Sequence, residues 1–269
     1  IYTLSLHDAL PIYYRYEAPV CIVTSLGRGV DVPSRNRTVL VGLVREKKSP
    51  LATRFELRAP NPKSNTYLVL AASYMAMLDG ITRVLEECKT SKDLEASLSK
   101  ECGEEDFYLE KDRMYRSEED VFEMYTEEER DRLFGKAPLT VWENLQAFKN
   151  EPLKLEIFKQ GDVMPDNALE SYEEAVLGQW VTELHNRIVP ENMDVIRKCV
   201  KCHDDKDCVD FDVVQWKKIE YIRNSLGRDT LEKKCLLTEI LNALENRDYG
   251  IASDLQIEMQ KKIGELRDL

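Results

Sequence analysis

The chain has 269 residues, 43% hydrophobic and 33% charged, which is enough apolar material for one sizeable core or two domains and too much for a disordered chain. Its 50 acidic residues against 38 basic ones give a net charge of −12, which argues against a broad electrostatic grip on nucleic acid or anionic lipid. No uninterrupted apolar run reaches the roughly 20 residues that span a bilayer, mean hydropathy is −0.45, and seven cysteines, an odd number scattered along the chain, read as reduced thiols. The expectation is a soluble cytoplasmic protein with neither a nucleic-acid nor a membrane partner.

Residues 1–12, IYTLSLHDALPI, look like a strand, yet back-translated in one frame they spell a common sequencing adapter. They are set aside as a translated scar, and His7 with them. On this reading the native polypeptide enters near Tyr13, inside a longer gene. Short β-branched runs at 20–26, 38–44 and 53–57, separated by GRGVDVPS and EKKSP, predict three strands and their loops. Asn65 then opens a long Ala-, Leu- and Met-rich stretch that predicts a nearly buried helix.

Near residue 90 the texture turns acidic and amphipathic. Helix starts are expected at Ser117 (SEED), Thr126 (TEEE) and Asp166, with breaks at Gly135, Pro138, Pro152 and Pro190. Beyond Gly227, one stripe of Leu231, Leu236, Ile240 and Leu244 and another of Ile251, Leu255, Met259 and Ile263 predict an antiparallel helical hairpin over about 228–269. The expected organisation is 1–12 scar, 13–90 strands plus helix, and 91–269 all-helical extension.

The chemistry lies in the first ninety residues. Arg35, Arg37, Arg45, Arg54 and Arg58 crowd three predicted strands of an otherwise acidic chain, a pattern suited to phosphate or carboxylate. Arg54, Glu56 and Arg58 alternate, so a period of two places all three on one face, with Phe55 and Leu57 on the other. Taken alone, such alternation is more often a solvated face with weak ion pairs.

Its neighbours change that reading. YEAP at 16–19, SRNR at 34–37, ATRFELRAPNPKSNTYL at 52–68 and AASYMAMLDGI at 71–81 together resemble the carboxy-terminal part of the glutamine synthetase catalytic domain. The resemblance implies an α+β fold: part of that domain, with antiparallel strands and a long helix, followed by the helical extension. It also implies ATP-dependent ligation of ammonia to L-glutamate through γ-glutamyl phosphate, with ATP and Mg²⁺ or Mn²⁺ as cofactors and a homo-oligomeric ring as the assembly.

Carried over position by position, the resemblance makes Glu17 the flap acid that closes over glutamate and Arg37 the contact to the transferring phosphoryl group. Arg54 would face the nucleotide phosphates. Glu56 becomes a metal ligand, as suits a hard carboxylate, and Arg58 a clamp on the substrate carboxylate. A second arginine normally follows the Asn-Arg pair closely; Gly42 stands there instead, and Arg45 is the candidate replacement at the nucleotide. The stretch SLGRGVDVPS looks inserted, and Thr66 replaces the proline that usually precedes the helix. These departures suggest a long variant of the family.

Three further features compete for notice. Cys199, Cys202, His203 and Cys208 imitate a haem-attachment or zinc pattern without a second ligand pair at longer separation, and read as ordinary thiols. His185 reads as a packing histidine, and Trp142, Trp180 and Trp216 as core. The terminal hairpin loosely resembles the helical hairpin of nucleotide-excision-repair subunits, which supplies the alternative function of a helical protein-interaction module.

Overall fold

β-Branched runs fold into strands when partners can complete their backbone hydrogen bonds, and the three expected runs do so in shortened form. In the computed structural model, residues 24–28, 32, 36, 38–46, 48–58, 65–136, 138–204, 206 and 209–269 are described. β1 (Thr24–Ser25), β2 (Val41–Val44) and β3 (Arg54–Leu57) form a sheet in that order, β1 parallel to β2 and β2 antiparallel to β3. The register pairs Gly42 with Glu56 and Val44 with Arg54. The described chain is otherwise helical, so α+β describes it with the weight on α. Residues 1–12, Glu17 and Arg37 lie outside the described residues.

Two compact units divide the chain: residues 1–138 with 150–165, and residues 139–149 with 166–269. The change of texture near residue 90 is thus not where the contacts divide. The reason lies in the first unit's core, where Val39 packs with Val121, Leu133 and Phe134, bordered by Cys102, Met114, Phe122 and Tyr125. Residues on both sides of position 90 fill one apolar interior, and separating them would expose it.

The first unit's main helix is α1 (Thr66–Glu86). Asn65 caps it: its side-chain oxygen accepts the Tyr67 and Leu68 amides at 3.0 and 3.3 Å, an arrangement worth about 1 kcal/mol. The expected near-complete burial does not hold. Only Ala72 and Met75 are buried on α1, while Tyr67, Leu70, Tyr74, Met77, Ile81 and Leu85 stand exposed along one side. By length and composition alone α1 could cross a membrane, but Asp79 and Arg83 interrupt it, and Asp79 accepts the Tyr108 hydroxyl at 2.5 Å. Burial and that carboxylate push the Tyr108 phenol up to about 12. α2 (Ser91–Leu98) follows. Lys100 then buries its ammonium against the carbonyls of Glu104, Lys111 and Arg113 at 2.8–3.1 Å, which fixes the loop between them.

SEED does not start a helix at Ser117. Asp120 caps the short α3 (Val121–Met124) instead, and residues 114–118 run beside β1, where Thr24 bridges Arg116 in parallel. Thr126 does cap α4 (Glu127–Phe134), with its reciprocal partner Glu129, and Gly135 ends that helix at a φ of 87°. Among the proposed breakers Pro152 opens a helix: it occupies the first turn of α6 (Pro152–Lys159), after α5 (Val141–Asn150). Proline is tolerated there because the first N–H has no intrahelical acceptor.

Pro190 breaks nothing either. α7 (Asp166–Glu183) passes through a π turn, Leu184–Ile188, straight into α8 (Val189–Lys198). The Val189 N–H bonds back to the Leu184 carbonyl, and this widened turn relieves the ring clash and the lost donor that proline would impose on a regular helix. α9 (Asp210–Gly227), α10 (Leu236–Glu245) and α11 (Tyr249–Asp268) complete the second unit. α10 and α11 form the expected hairpin, and Leu236, Ile240, Leu244, Met259 and Ile263 are buried. Leu231 and Ile251 are exposed: Leu231 precedes the first turn, in a loop where Asp229 accepts the Cys235 N–H at 2.9 Å. That bond, with Lys234 alongside, holds the Asp229 carboxyl well below the usual carboxylate range.

Of the three tryptophans only Trp180 is fully buried, its indole N–H donating to Gln256 at 2.8 Å. Trp142 stacks against Tyr249, and Trp216 lies under Arg223. His185 is exposed and bonds to Asn186 at 2.7 Å, so it is no packing histidine. The hairpin commits Leu236, Ile240, Leu244, Met259 and Ile263 to the second unit's interior, while Leu231 and Ile251 stay on the outside.

Candidate functional site

Alternation along β3 brings Arg54, Glu56 and Arg58 to one side. Arg54 Nη2 lies 3.3 Å from Glu56 Oε1, and Arg58 Nη2 lies 3.2 Å from Glu56 Oε2. One carboxylate between two guanidinium groups leaves this face one positive charge in excess, the sign required for phosphate or carboxylate ligands. Exposure divides the pair: the Arg54 side chain is 60% exposed and the Arg58 side chain 18%. Phe55, on the opposite side, is exposed rather than packed.

Arg58 is also held from behind. Its Nη1 donates to the carbonyls of Asn36 at 2.8 Å and Val39 at 3.3 Å, and its own N–H to Leu40 at 2.8 Å. The departure at Gly42 now has a physical reason. Gly42 pairs with Glu56, and a Cβ built there would stand 2.6 Å from Arg58 Nη2, so the missing side chain is the space the guanidinium occupies. Arg45 follows directly after β2, which ends at Val44 opposite Arg54.

Asn36, the neighbour of Arg37 in sequence, ties several strands together. Its carbonyl takes Arg58, its Oδ1 accepts the Thr38 N–H and hydroxyl at 2.9 and 2.6 Å, and its Nδ2 donates to the Glu119 carbonyl at 2.5 Å. Next to it, Glu118 accepts from the Ser25 hydroxyl at 2.7 Å, from the Leu26 and Gly27 amides at 3.0–3.1 Å, and from Arg116 Nε at 3.0 Å. Burial would raise its carboxyl, but these donors together hold it below the ordinary range. Sequence reasoning missed Glu118 because SEED satisfies the helix-start pattern, which masks a carboxylate whose partners lie some ninety positions away.

The resemblance implies a divalent metal, so the donor set has to be tested. Glu56 is one hard carboxylate, already engaged by two arginines. No group of three or more His, Cys, Asp and Glu side chains positioned to hold a metal exists among the described residues. The described residues do not make a metal site by themselves. In the cysteine cluster, Cys199 and Cys202 donate to the Val195 and Val200 carbonyls at 3.4 and 3.3 Å, as thiols do; Cys208 lies outside the described residues.

Comparison with known proteins agrees with the geometry in part. The family model described as glutamine synthetase, catalytic domain, matches residues 13–106. A glutamine synthetase of Streptomyces filamentosus is 39% identical over 80 residues, 29% of this chain and 15% of that protein. One from Clostridium saccharobutylicum is 42% identical over 71 residues, 26% of this chain and 14% of that protein. One from Cereibacter sphaeroides is 35% identical over 154 residues, 52% of this chain and 29% of that protein; this likeness is longer than the family match and so extends beyond it. The chain therefore spans well under a third of the length of these relatives. No solved structure matches.

Proposed function

We propose that this chain, which carries in residues 13–106 a segment of the glutamine synthetase catalytic domain, supplies the arginine-rich wall of a site that ligates ammonia to L-glutamate at the expense of ATP. The observation that carries the reading is Glu56 held between Arg54 and Arg58 on a single strand face, inside the stretch the family model matches. Phosphoryl transfer is mostly positioning and charge stabilisation, and this face provides fixed positive charge at little cost in reorganisation. Arg54 serves the nucleotide phosphates. Arg58, pre-oriented by two carbonyls, takes the substrate carboxylate by exchanging its bond to Glu56 for one to the ligand. Glu56 would offer one carboxylate oxygen to a divalent cation held mainly by groups outside the described residues, and Mg²⁺ or Mn²⁺ would there supply charge neutralisation. Glu17 and Arg37 complete the set as flap acid and phosphoryl contact. A homo-oligomeric cytoplasmic assembly belongs to the same reading.

The open side of α1 supports a place within a larger catalytic domain. Seven large apolar side chains exposed along α1, Leu78 together with the six named above, are more than a soluble surface helix ordinarily shows, so the isolated chain is expected to self-associate. The double variant Tyr74→Glu/Ile81→Glu should return it to monomer in analytical ultracentrifugation; unchanged self-association would place the sticky surface elsewhere.

The direct test is γ-glutamyl hydroxamate formation with ATP and Mg²⁺. The 269-residue chain alone is expected to form none, because ligands for the nucleotide, the metals and ammonium must converge for the reaction and only one wall of the site is described. Supplying the rest of the catalytic domain should restore it. Turnover by the chain alone would overturn the reading of an incomplete site.

A further inference from the structure

The family match ends at residue 106, yet residues beyond it are built into the loop that supports Arg58. Tyr115 and Ser117 exchange backbone hydrogen bonds with Thr24 at 2.8 and 2.9 Å, so the segment continues the sheet past β1. Glu118 then closes on the Ser25–Gly27 turn through both its oxygens, while Arg116 reaches the Gly27 carbonyl at 3.0 Å. Glu119 pairs with Arg28 and presents its carbonyl to the Asn36 side chain. The Val121 amide donates to the Thr38 hydroxyl at 3.2 Å, and the Val121 side chain enters the core beside Val39. A single run of eight residues thus grips Thr24–Arg28 on one side and Asn36–Val39 on the other.

The grip extends to the site. Asn36 is bound through its side chain to the Glu119 carbonyl and through its own carbonyl to the Arg58 guanidinium. Loosening the segment frees Asn36, and with it the acceptor that aims Arg58.

We propose that residues 114–121 act as a positioning strap, with Glu118 as its lock, holding Ser25–Gly27 and Asn36 so that the Asn36 carbonyl orients Arg58 toward its anionic ligand. Glu118 touches neither ligand nor reacting atoms; it is a positioning residue. The assignment of that ligand as L-glutamate rests on the function proposed above, whereas the strap itself rests on the contacts. A carboxylate is suited to the role, since it can accept two backbone amides, a hydroxyl and a guanidinium at once.

The test is hydrogen exchange on the whole chain, with the Arg58 Nη1 hydrogens, which bond to the Asn36 and Val39 carbonyls, followed by low-temperature NMR. Glu118→Ala should speed exchange about tenfold or more in peptides covering 24–28 and 54–58, and at the Arg58 Nη1 hydrogens, while α4 and the second unit keep wild-type rates. Glu118→Gln keeps one acceptor oxygen for Leu26 and Gly27 and should recover part of the protection. Wild-type exchange at Arg58 in Glu118→Ala would overturn the proposal, as would acceleration spread evenly through α4, which would mark a general loss of fold. Adding L-glutamate separates the two readings. Slower exchange at 54–58 in wild type supports the ligand assignment; no effect in wild type counts against glutamate and leaves the strap to be decided by the exchange pattern alone.

Discussion

Removing residues 228–269 is expected to unfold the second unit rather than trim an appendage. The deleted stretch supplies Leu236, Leu237, Ile240, Leu244, Met259 and Ile263 to the core, and Gln256 to the Trp180 indole. Each large apolar side chain withdrawn from such a core is worth about 1.5–3 kcal/mol. Six of them together match or outweigh the roughly 5–15 kcal/mol by which a typical domain is stable. Leu184, Leu226 and Trp180 would be left facing water. Circular dichroism should show loss of the unit's helices and of its cooperative thermal transition, while hydrogen exchange in β2 and β3, which belong to the first unit, stays at wild-type rates. A truncated chain that kept the transition and the buried Trp180 fluorescence would show the hairpin to be a separable module after all.

Arg58→Ala is expected to cost the first unit on the order of 3 kcal/mol, because carbonyls of Asn36 and Val39 and one oxygen of Glu56 lose a charged donor together. Arg58→Lys should recover only part of this. A lysine ammonium is compact, and it cannot reach three acceptors that a planar guanidinium spans. Gly42→Ala should act through the same group with a smaller effect. Its Cβ would take the space held by Nη2, so the guanidinium must surrender bonds to make room. Thermal denaturation followed at the first unit checks the order, Arg58→Ala below Gly42→Ala below wild type. Equal stability in all three would show that the contacts behind Arg58 do not matter to the fold.

How far the sequence could be read varies by element. The R-x-E-x-R strand was legible because a period of two is a property of the backbone itself, needing no partner to fix it, and the Asn65 cap was legible for the same local reason. Thr126 with Glu129 is a third case: donor and acceptor lie three residues apart. Where the controlling contact is distant, local patterns mislead. Ser117 carries a helix-start pattern, yet its segment is captured by Thr24 and becomes a strap. Pro190 carries the chemistry of a breaker, yet a π turn absorbs it. Gly42 reads as a missing arginine until Arg58 is seen filling its place. Burial of α1 was misjudged because an apolar composition does not by itself say what covers a helix: among the described residues only Ala72 and Met75 find cover.

The account rests on Glu56, Arg54 and Arg58 working as one ligand-binding face. It is tested most directly by ATP- and Mg²⁺-dependent γ-glutamyl hydroxamate formation in an enzyme whose catalytic domain is completed around residues 13–106. Glu56→Ala should leave assembly intact and reduce turnover by at least about a hundredfold, through weakened metal binding. Arg58→Ala should chiefly weaken glutamate binding, raising its KM. Assembled variants with near-wild-type turnover and KM would contradict the assignment of this face to the reaction.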